Sequence, residues 1–182
     1  TATPMNAGIH FDAASVQARA KSTWIPAFAG LTGEARREPA TVGVVTLNLW
    51  HDRSDWPRRQ ALFANELRRL QPDVILLQEV LQDAALPNQA QTLAQQLGYH
   101  WYFVSVDAPE RARRYGNAIL SREAMTRRGA RALEPANDYR IAGWARTNVR
   151  GRAIDVYVTH LNFTDASGAT RECQVRDLMD FV

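Results

Sequence analysis

The sequence predicts a mixed α/β domain, and three observations carry that reading. Short apolar runs bounded by polar and turn residues recur along the chain and read as strands. Between them lie stretches with apolar residues at helical spacing and capping residues at their ends. The 182 residues are 46% hydrophobic and 23% charged, which excludes a fibrous, low-complexity or wholly disordered chain. At roughly 150 residues per domain the length suits one domain with a sizeable core. Cys173 is the single cysteine, so no internal disulfide framework or cysteine-based zinc site is possible. A net charge of +3 is too small to establish a nucleic-acid partner. Lys21 is the one lysine among 22 basic residues. Arginine forks hold phosphate well, yet biased codon usage accounts for the same excess.

The elements follow in order from Thr41. Val42 to Trp50 reads as a strand. Ser54 or Asp55 caps a helix with Pro57 in its first turn, and Phe63, Leu67 and Leu70 fall on one face. Gln71-Pro72-Asp73 breaks that helix, and Val74 to Val80 follows as a buried strand. A second helix starts near Asn88, places Ala90, Leu93, Ala94 and Leu97 on one face, and stops at Gly98. Tyr99 to Val106 and Asn117 to Ser121 are further strands. Residues 140–149 and 152–161 alternate around Arg150-Gly151, which predicts a hairpin. The last helix carries Val175, Leu178, Met179 and Val182 on an apolar face and has no stop signal.

Residues 1–40 follow neither period and are expected to lie outside the domain, which is expected to occupy 41–182. The piece Trp24-Ile25-Pro26-Ala27-Phe28-Ala29-Gly30 resembles the conceptual translation of an interspersed repeat of proteobacterial genomes. No apolar run approaches the ~20 residues of a transmembrane helix. No basic segment precedes an apolar one in the manner of a signal peptide, so the expected compartment is the cytoplasm.

Three strands end in polar groups where burial alone would favour apolar ones. These are Asn48 after Val44 to Leu47, Glu79 after Val74 to Gln78, and His160 after Val156 to Thr159, with Asn162 two residues on. A carboxylate buried without a partner costs several kcal/mol, so Glu79 should be paired or hold a cation. Ligands gather at the carboxyl ends of strands in open sheets, and the three residues are expected to converge. Each also has an ordinary alternative: a loop hydrogen bond for Asn48, a salt bridge to an arginine for Glu79, a satisfied core position for His160. An Asn and a carboxylate are hard oxygen ligands, which suit Mg²⁺ or Mn²⁺ rather than zinc.

Thr46-Leu47-Asn48-Leu49-Trp50, Pro72-Asp73-Val74-Ile75-Leu76-Leu77-Gln78-Glu79-Val80, Tyr115-Gly116-Asn117-Ala118-Ile119-Leu120-Ser121-Arg122 and Val158-Thr159-His160-Leu161 come in this order. Together they resemble four successive motifs of the endonuclease/exonuclease/phosphatase superfamily. Arg171-Glu172-Cys173-Gln174 is similar to the R-x-x-Q pair that opens its next helix. The resemblance implies a four-layer α/β/β/α sandwich of the DNase I-like type and Mg²⁺- or Mn²⁺-dependent hydrolysis of phosphate esters. It implies that Glu79 and Asn48 lie at the metal and that His160 hydrogen-bonds the phosphate. Asn117 and Asn162 would line the same pocket.

The superfamily pattern continues with a Gly-Asp-x-Asn motif and ends in an Asp-His pair that supplies the general base. In residues 1–182 neither occurs, and no His follows His160. The expectation is therefore a front portion of such a domain, inactive as it stands. The substrate class implied is a phosphate ester of nucleic acid, phospholipid or small molecule, with no obligate protein partner. Thr-His-Leu departs from the Pro-x-Asn of abasic-site endonucleases, which ranks a DNase I-like, sphingomyelinase-like or general bacterial phosphodiesterase higher. A non-catalytic phosphate- or nucleic-acid-binding relative is the alternative, and a basic nucleic-acid-binding domain without metal is a third. Arg111, Arg113 and Arg114, and Arg127, Arg128 and Arg131, are expected to be solvated loop charge or a polyanion surface.

Overall fold

A computed structural model describes residues 41–182. Residues 1–40, with Trp24 and Phe28, lie outside the described residues.

Strand β1 (Val44–Asn48) is short, because Trp50 and His51 both take the left-handed conformation and turn the chain away. Helix α1 (Trp56–Leu70) starts at Asp55, whose carboxylate accepts the Arg58 N–H. Of the two predicted caps, Asp55 is the one used. Strand β2 (Val74–Gln82) is apolar on both faces because both are covered. Helix α2 (Gln89–Leu97) lies between the cap of Asn88, which accepts from the Ala90 and Gln91 N–H groups, and left-handed Gly98. Strands β3 (His100–Ser105) and β4 (Arg114–Ser121) follow, then β5 (Arg127–Leu133), β6 (Arg140–Val149), β7 (Arg152–Val158) and helix α3 (Ala169–Phe181).

These elements form two sheets. The first has the order β1-β2-β4-β3, with β1 parallel to β2 and the other neighbours antiparallel. The second is the antiparallel set β5-β6-β7. Helices α1 and α2 cover the outer face of the first sheet through Trp56, Leu67, Leu93, Ile75, Leu77 and Leu120. Between the sheets lie Val74, Ile119, Ala145 and Val158. A buried hydroxyl pair, Ser121 Oγ and Thr147 Oγ1 at 2.7 Å, links the two layers. Helix α3 sits on the outer face of the second sheet, where Phe181 meets Tyr157 edge-on and Asp177 pairs with Arg131. The order of layers is α/β/β/α, as the motifs imply. Among the described residues no helix is long and apolar enough to cross a membrane.

Three features differ from the sequence reading. Arg127, Arg128 and Arg131 lie on β5 rather than in a loop. Charged side chains on an edge strand mask the strand pattern while discouraging edge-to-edge pairing. Their guanidinium groups are engaged: Arg127 lies over Trp144, Arg128 over Tyr102, and Arg131 pairs with Asp177. The strand expected over 152–161 ends at Val158, so His160 belongs to the following loop. The predicted apolar face of α3 is largely open to solvent, with Val175, Met179 and Val182 exposed and only Gln174 buried.

Candidate active site

The site is built on a fault in β2. Leu77 pairs with Ala118 and Val80 with Gly116, so Gln78 and Glu79 together oppose Asn117. The extra residue makes a bulge, and Glu79 sits in it at φ 55°, a conformation an L residue adopts only when its surroundings impose it. Neighbours hold it there. The Leu49 N–H donates to the Gln78 carbonyl at 2.8 Å, and the His51 N–H donates to the Glu79 carbonyl at 3.2 Å. Glu79 therefore lies inside the strand rather than at its end, and the bulge aims its carboxylate at the loop that follows β1.

Glu79 is 8% exposed. Asn48 Nδ2 donates to its Oε1 at 3.1 Å, His51 Nε2 lies 2.9 Å from its Oε2, and His160 Nδ1 lies 3.7 Å from its Oε1. The end of β1 with its turn, and a distant loop, meet at one carboxylate. Among the described residues no arginine pairs with it, so the sea of guanidinium groups leaves this anion to an amide and two imidazoles. Asn48 is oriented by its own turn, its Oδ1 accepting the Trp50 N–H at 2.8 Å. His51 stacks on Tyr115 with ring centroids 4.6 Å apart. Burial pushes the Tyr115 hydroxyl up to about 12, and the negative charge of Glu79 adds to the shift against Arg140.

His160 stacks on Phe163 with centroids 5.9 Å apart, and its carbonyl accepts from Arg140 Nη1 at 3.2 Å. Burial lowers its pKa, Arg140 and His51 lower it further, and Glu79 opposes them. Its buried Nδ1 has no hydrogen-bond partner, one of three such side-chain atoms among the described residues. A buried polar atom left unpaired beside a buried carboxylate is what a site shaped for a polar ligand shows.

Asn117 lies opposite Gln78 and Glu79 at the bulge, and Asn162 follows His160 by two residues. Asn117 Nδ2 donates across the sandwich to the Ile141 carbonyl at 3.0 Å. Asn162 Nδ2 donates to Asp138 at 2.8 Å, while its Oδ1 accepts the Thr164 and Asp165 N–H groups at 3.0 and 2.8 Å. Both residues are buried. The Arg171 and Gln174 pair has a visible task. Arg171 Nη1 donates to the carbonyls of Asn162 and Asp165, and Gln174 Oε1 accepts the Asn162 N–H at 2.8 Å. Gln174 Nε2 donates to Asp138 at 2.6 Å. Helix α3 thereby fastens the loop that carries His160.

His51 escaped the sequence reading because it lies in a polar His-Asp-Arg-Ser turn with no apolar run to mark it. Its signal was proximity to Asn48, three residues before it on a strand end.

The donor set fits a hard divalent cation in one respect and not in another. Among the described residues Glu79 is a buried carboxylate without an arginine partner, and Mg²⁺ is often held by one or two carboxylates plus substrate phosphate and water. Among the described residues, however, no three His, Cys, Asp or Glu side chains are grouped to hold a metal by themselves. Asn48 presents its nitrogen, not its oxygen, to Glu79, so it supports the carboxylate here.

The fold is thus a mixed α/β/β/α sandwich whose buried carboxylate is flanked by an amide and two imidazoles. The profile of the Endonuclease/Exonuclease/phosphatase family matches residues 45–180. The chain belongs to that family. No curated protein gives a significant match. Among solved structures, the endonuclease/exonuclease/phosphatase from Beutenbergia cavernae DSM 12333 superposes with a TM-score of 0.65 at 23% identity. That alignment covers 78% of this chain and 44% of that one. A family protein from Leptotrichia buccalis C-1013-b gives 0.65 at 16% identity, covering 78% and 63%. TDP2 from D. rerio, complexed with single strand DNA product, gives 0.62 at 18% identity, covering 76% and 53%. At these identities the likeness shows the fold, and the chain spans between 44% and 63% of the length of these structures.

Proposed function

We propose that residues 41–182 are the N-terminal portion of a domain that hydrolyses phosphate esters with a divalent cation, Mg²⁺ or Mn²⁺, and that they bring its metal and phosphate groups. The observation that supports this reading is the buried Glu79 carboxylate, met by Asn48 and His51 from the end of β1 and its turn and by His160 from a distant loop. Glu79 would hold the cation, and Asn48 keeps the carboxylate in place. When bound, the ion supplies charge on the phosphoryl oxygens and the leaving oxygen. His160, whose pKa burial and Arg140 lower, keeps an unpaired buried ring nitrogen 3.7 Å from Glu79 and would hydrogen-bond a phosphate oxygen held beside that carboxylate. His51 braces Glu79 from the other side and lies against the Tyr115 ring.

A second reading is favoured by one sequence fact. Within residues 1–182 there is neither a Gly-Asp-x-Asn stretch nor an Asp-His pair, so these residues by themselves bring the cation and phosphate groups without the base of the superfamily pattern. On that reading the chain binds phosphate or nucleic acid without cleaving it. The experiment that separates the two is hydrolysis of bis-p-nitrophenyl phosphate with and without Mg²⁺, alongside binding of Mn²⁺ and inorganic phosphate, each repeated on Glu79→Ala. Metal-dependent turnover lost in Glu79→Ala supports the hydrolase. Binding lost in Glu79→Ala with no turnover in either protein overturns catalysis by these residues on their own and supports the binding module for this chain. Neither turnover nor binding overturns both.

A further inference from the structure

The loop that carries His51 is an unusual piece of backbone. Trp50, His51, Ser54 and Asp55 all have positive φ, between 49° and 53°. None is a glycine, and such strained residues persist only where their surroundings enforce them. One side chain contacts nearly the whole loop. Arg59, on the second turn of α1, donates from Nη1 to the Leu49 carbonyl at 2.5 Å and from Nε to the Ser54 carbonyl at 3.2 Å. Its Nη2 donates to the carbonyls of His51 at 3.0 Å and Arg53 at 2.6 Å. The guanidinium lies 5.3 Å from the Trp56 ring centroid and 5.9 Å from those of Trp50 and Phe63. Among the described residues it makes no ion pair. Asp52 and Asp55 favour its charge from within the loop, but its direct contacts are four carbonyls and three rings, which serve backbone shape.

From the opposite side, Gln89 is fully buried on α2. Its Nε2 donates to the His51 carbonyl at 2.8 Å, and its Oε1 accepts the N–H of Leu81, two residues past Glu79, at 2.9 Å. The His51 carbonyl is thus pinned both to α1 and to the strand that bears Glu79.

We infer that Arg59 and Gln89 are positioning residues: they hold the 49–55 loop in its left-handed course and so fix His51 against Glu79 and Tyr115. This rests on the preceding reading only in treating Glu79 as the site carboxylate, and the clamp stands or falls without any catalytic activity. A planar five-donor fork is needed to reach four carbonyls at once. Lysine keeps the charge and the apolar stem but has a single donor centre. If Arg59 acts through charge or stem packing alone, lysine replaces it without effect.

The test is NMR on the full chain, wild type and Arg59→Lys. In the wild type the backbone amides of 50–55 should be as rigid as those of the strands, with order parameters of about 0.85. A cross-peak should join the rings of His51 and Tyr115. In Arg59→Lys the loop values should fall below about 0.6 and the His51–Tyr115 cross-peak should vanish. The Trp144–Tyr157 contact in the second sheet, 6.4 Å between centroids, should persist as proof of fold. An intact loop and an intact cross-peak in Arg59→Lys would overturn the inference. Should the variant fail to fold, the wild type decides: a mobile 50–55 loop overturns the clamp and a rigid one supports it. Phosphoesterase activity enters none of these readings, so its absence would count against the proposed function alone.

Discussion

Gln174 offers the sharpest quantitative handle on how α3 organises the site. Its side chain is fully buried and makes two bonds, one to the Asn162 N–H at 2.8 Å and one to the Asp138 carboxylate at 2.6 Å. Gln174→Leu conserves volume and removes both. The Asn162 N–H is then left buried without a partner, at a cost of about 1–3 kcal/mol, and a bond to a charged group is lost, worth about 1.5–3 kcal/mol. The better burial of leucine returns part of this, so the expected loss is about 3 kcal/mol. With a urea slope of about 2 kcal/mol/M, the denaturation midpoint should fall by about 1.5 M. The acid limb adds a signature. Burial pushes the Asp138 pKa up, but hydrogen bonds from Asn162 and Gln174, with Arg140 alongside, outweigh it and hold the pKa below the usual range. A depressed carboxylate contributes stability that is complete above about pH 4 and is lost as pH falls through its folded value. The variant has less of this contribution to lose, so the gap between wild type and Gln174→Leu should narrow below about pH 4. A loss under about 0.5 kcal/mol at neutral pH, the range of ordinary surface changes, would refute the claim that Gln174 is the anchor of the His160 loop.

Other outcomes follow from the same geometry. Asn48→Ala removes the amide from Glu79 and the cap on the Trp50 N–H, and should lower stability by about 1–2 kcal/mol in urea denaturation while weakening Mn²⁺ binding. A β-carbon on Gly116 would lie 1.9 Å from the Val104 carbonyl oxygen, a backbone atom that cannot step aside. Gly116→Ala should therefore cost at least about 3 kcal/mol, read as loss of the cooperative transition or of soluble protein. Removing either hydroxyl of the buried Ser121–Thr147 pair should cost about 1–2 kcal/mol, and a double-mutant cycle should return a coupling of at least about 0.5 kcal/mol.

Much of the fold was legible because its elements obey simple periods. The caps at Asn88 and Gly98 and the break at Pro72 stand at the ends of α2 and α1, where local chemistry alone sets them. Strand β5 was hidden because Arg127, Arg128 and Arg131 give an edge strand the look of a loop. The apolar side of α3 misled in the opposite sense: its spacing asks for burial, yet the helix is held by Gln174, Asp177 and Phe181 instead. At the site, Asn48, Glu79 and His160 stood out as polar residues closing apolar runs, and the structure does bring the three together. His51 and Arg59 did not stand out, since a bulge in β2 and a left-handed loop are tertiary outcomes with no period to reveal them.

The central claim is that Glu79 would be the anionic seat of a divalent cation, which draws phosphate to the site. Electron paramagnetic resonance titration of Mn²⁺ into the chain, in the presence of inorganic phosphate, tests it without needing turnover. Wild type should show one saturable site, Mg²⁺ should compete for it, and Glu79→Gln should bind at least about tenfold more weakly, the effect of losing one charged ligand at about 1.4 kcal/mol per decade. Equal Mn²⁺ binding by wild type and Glu79→Gln, or no saturable binding by either, would contradict the account.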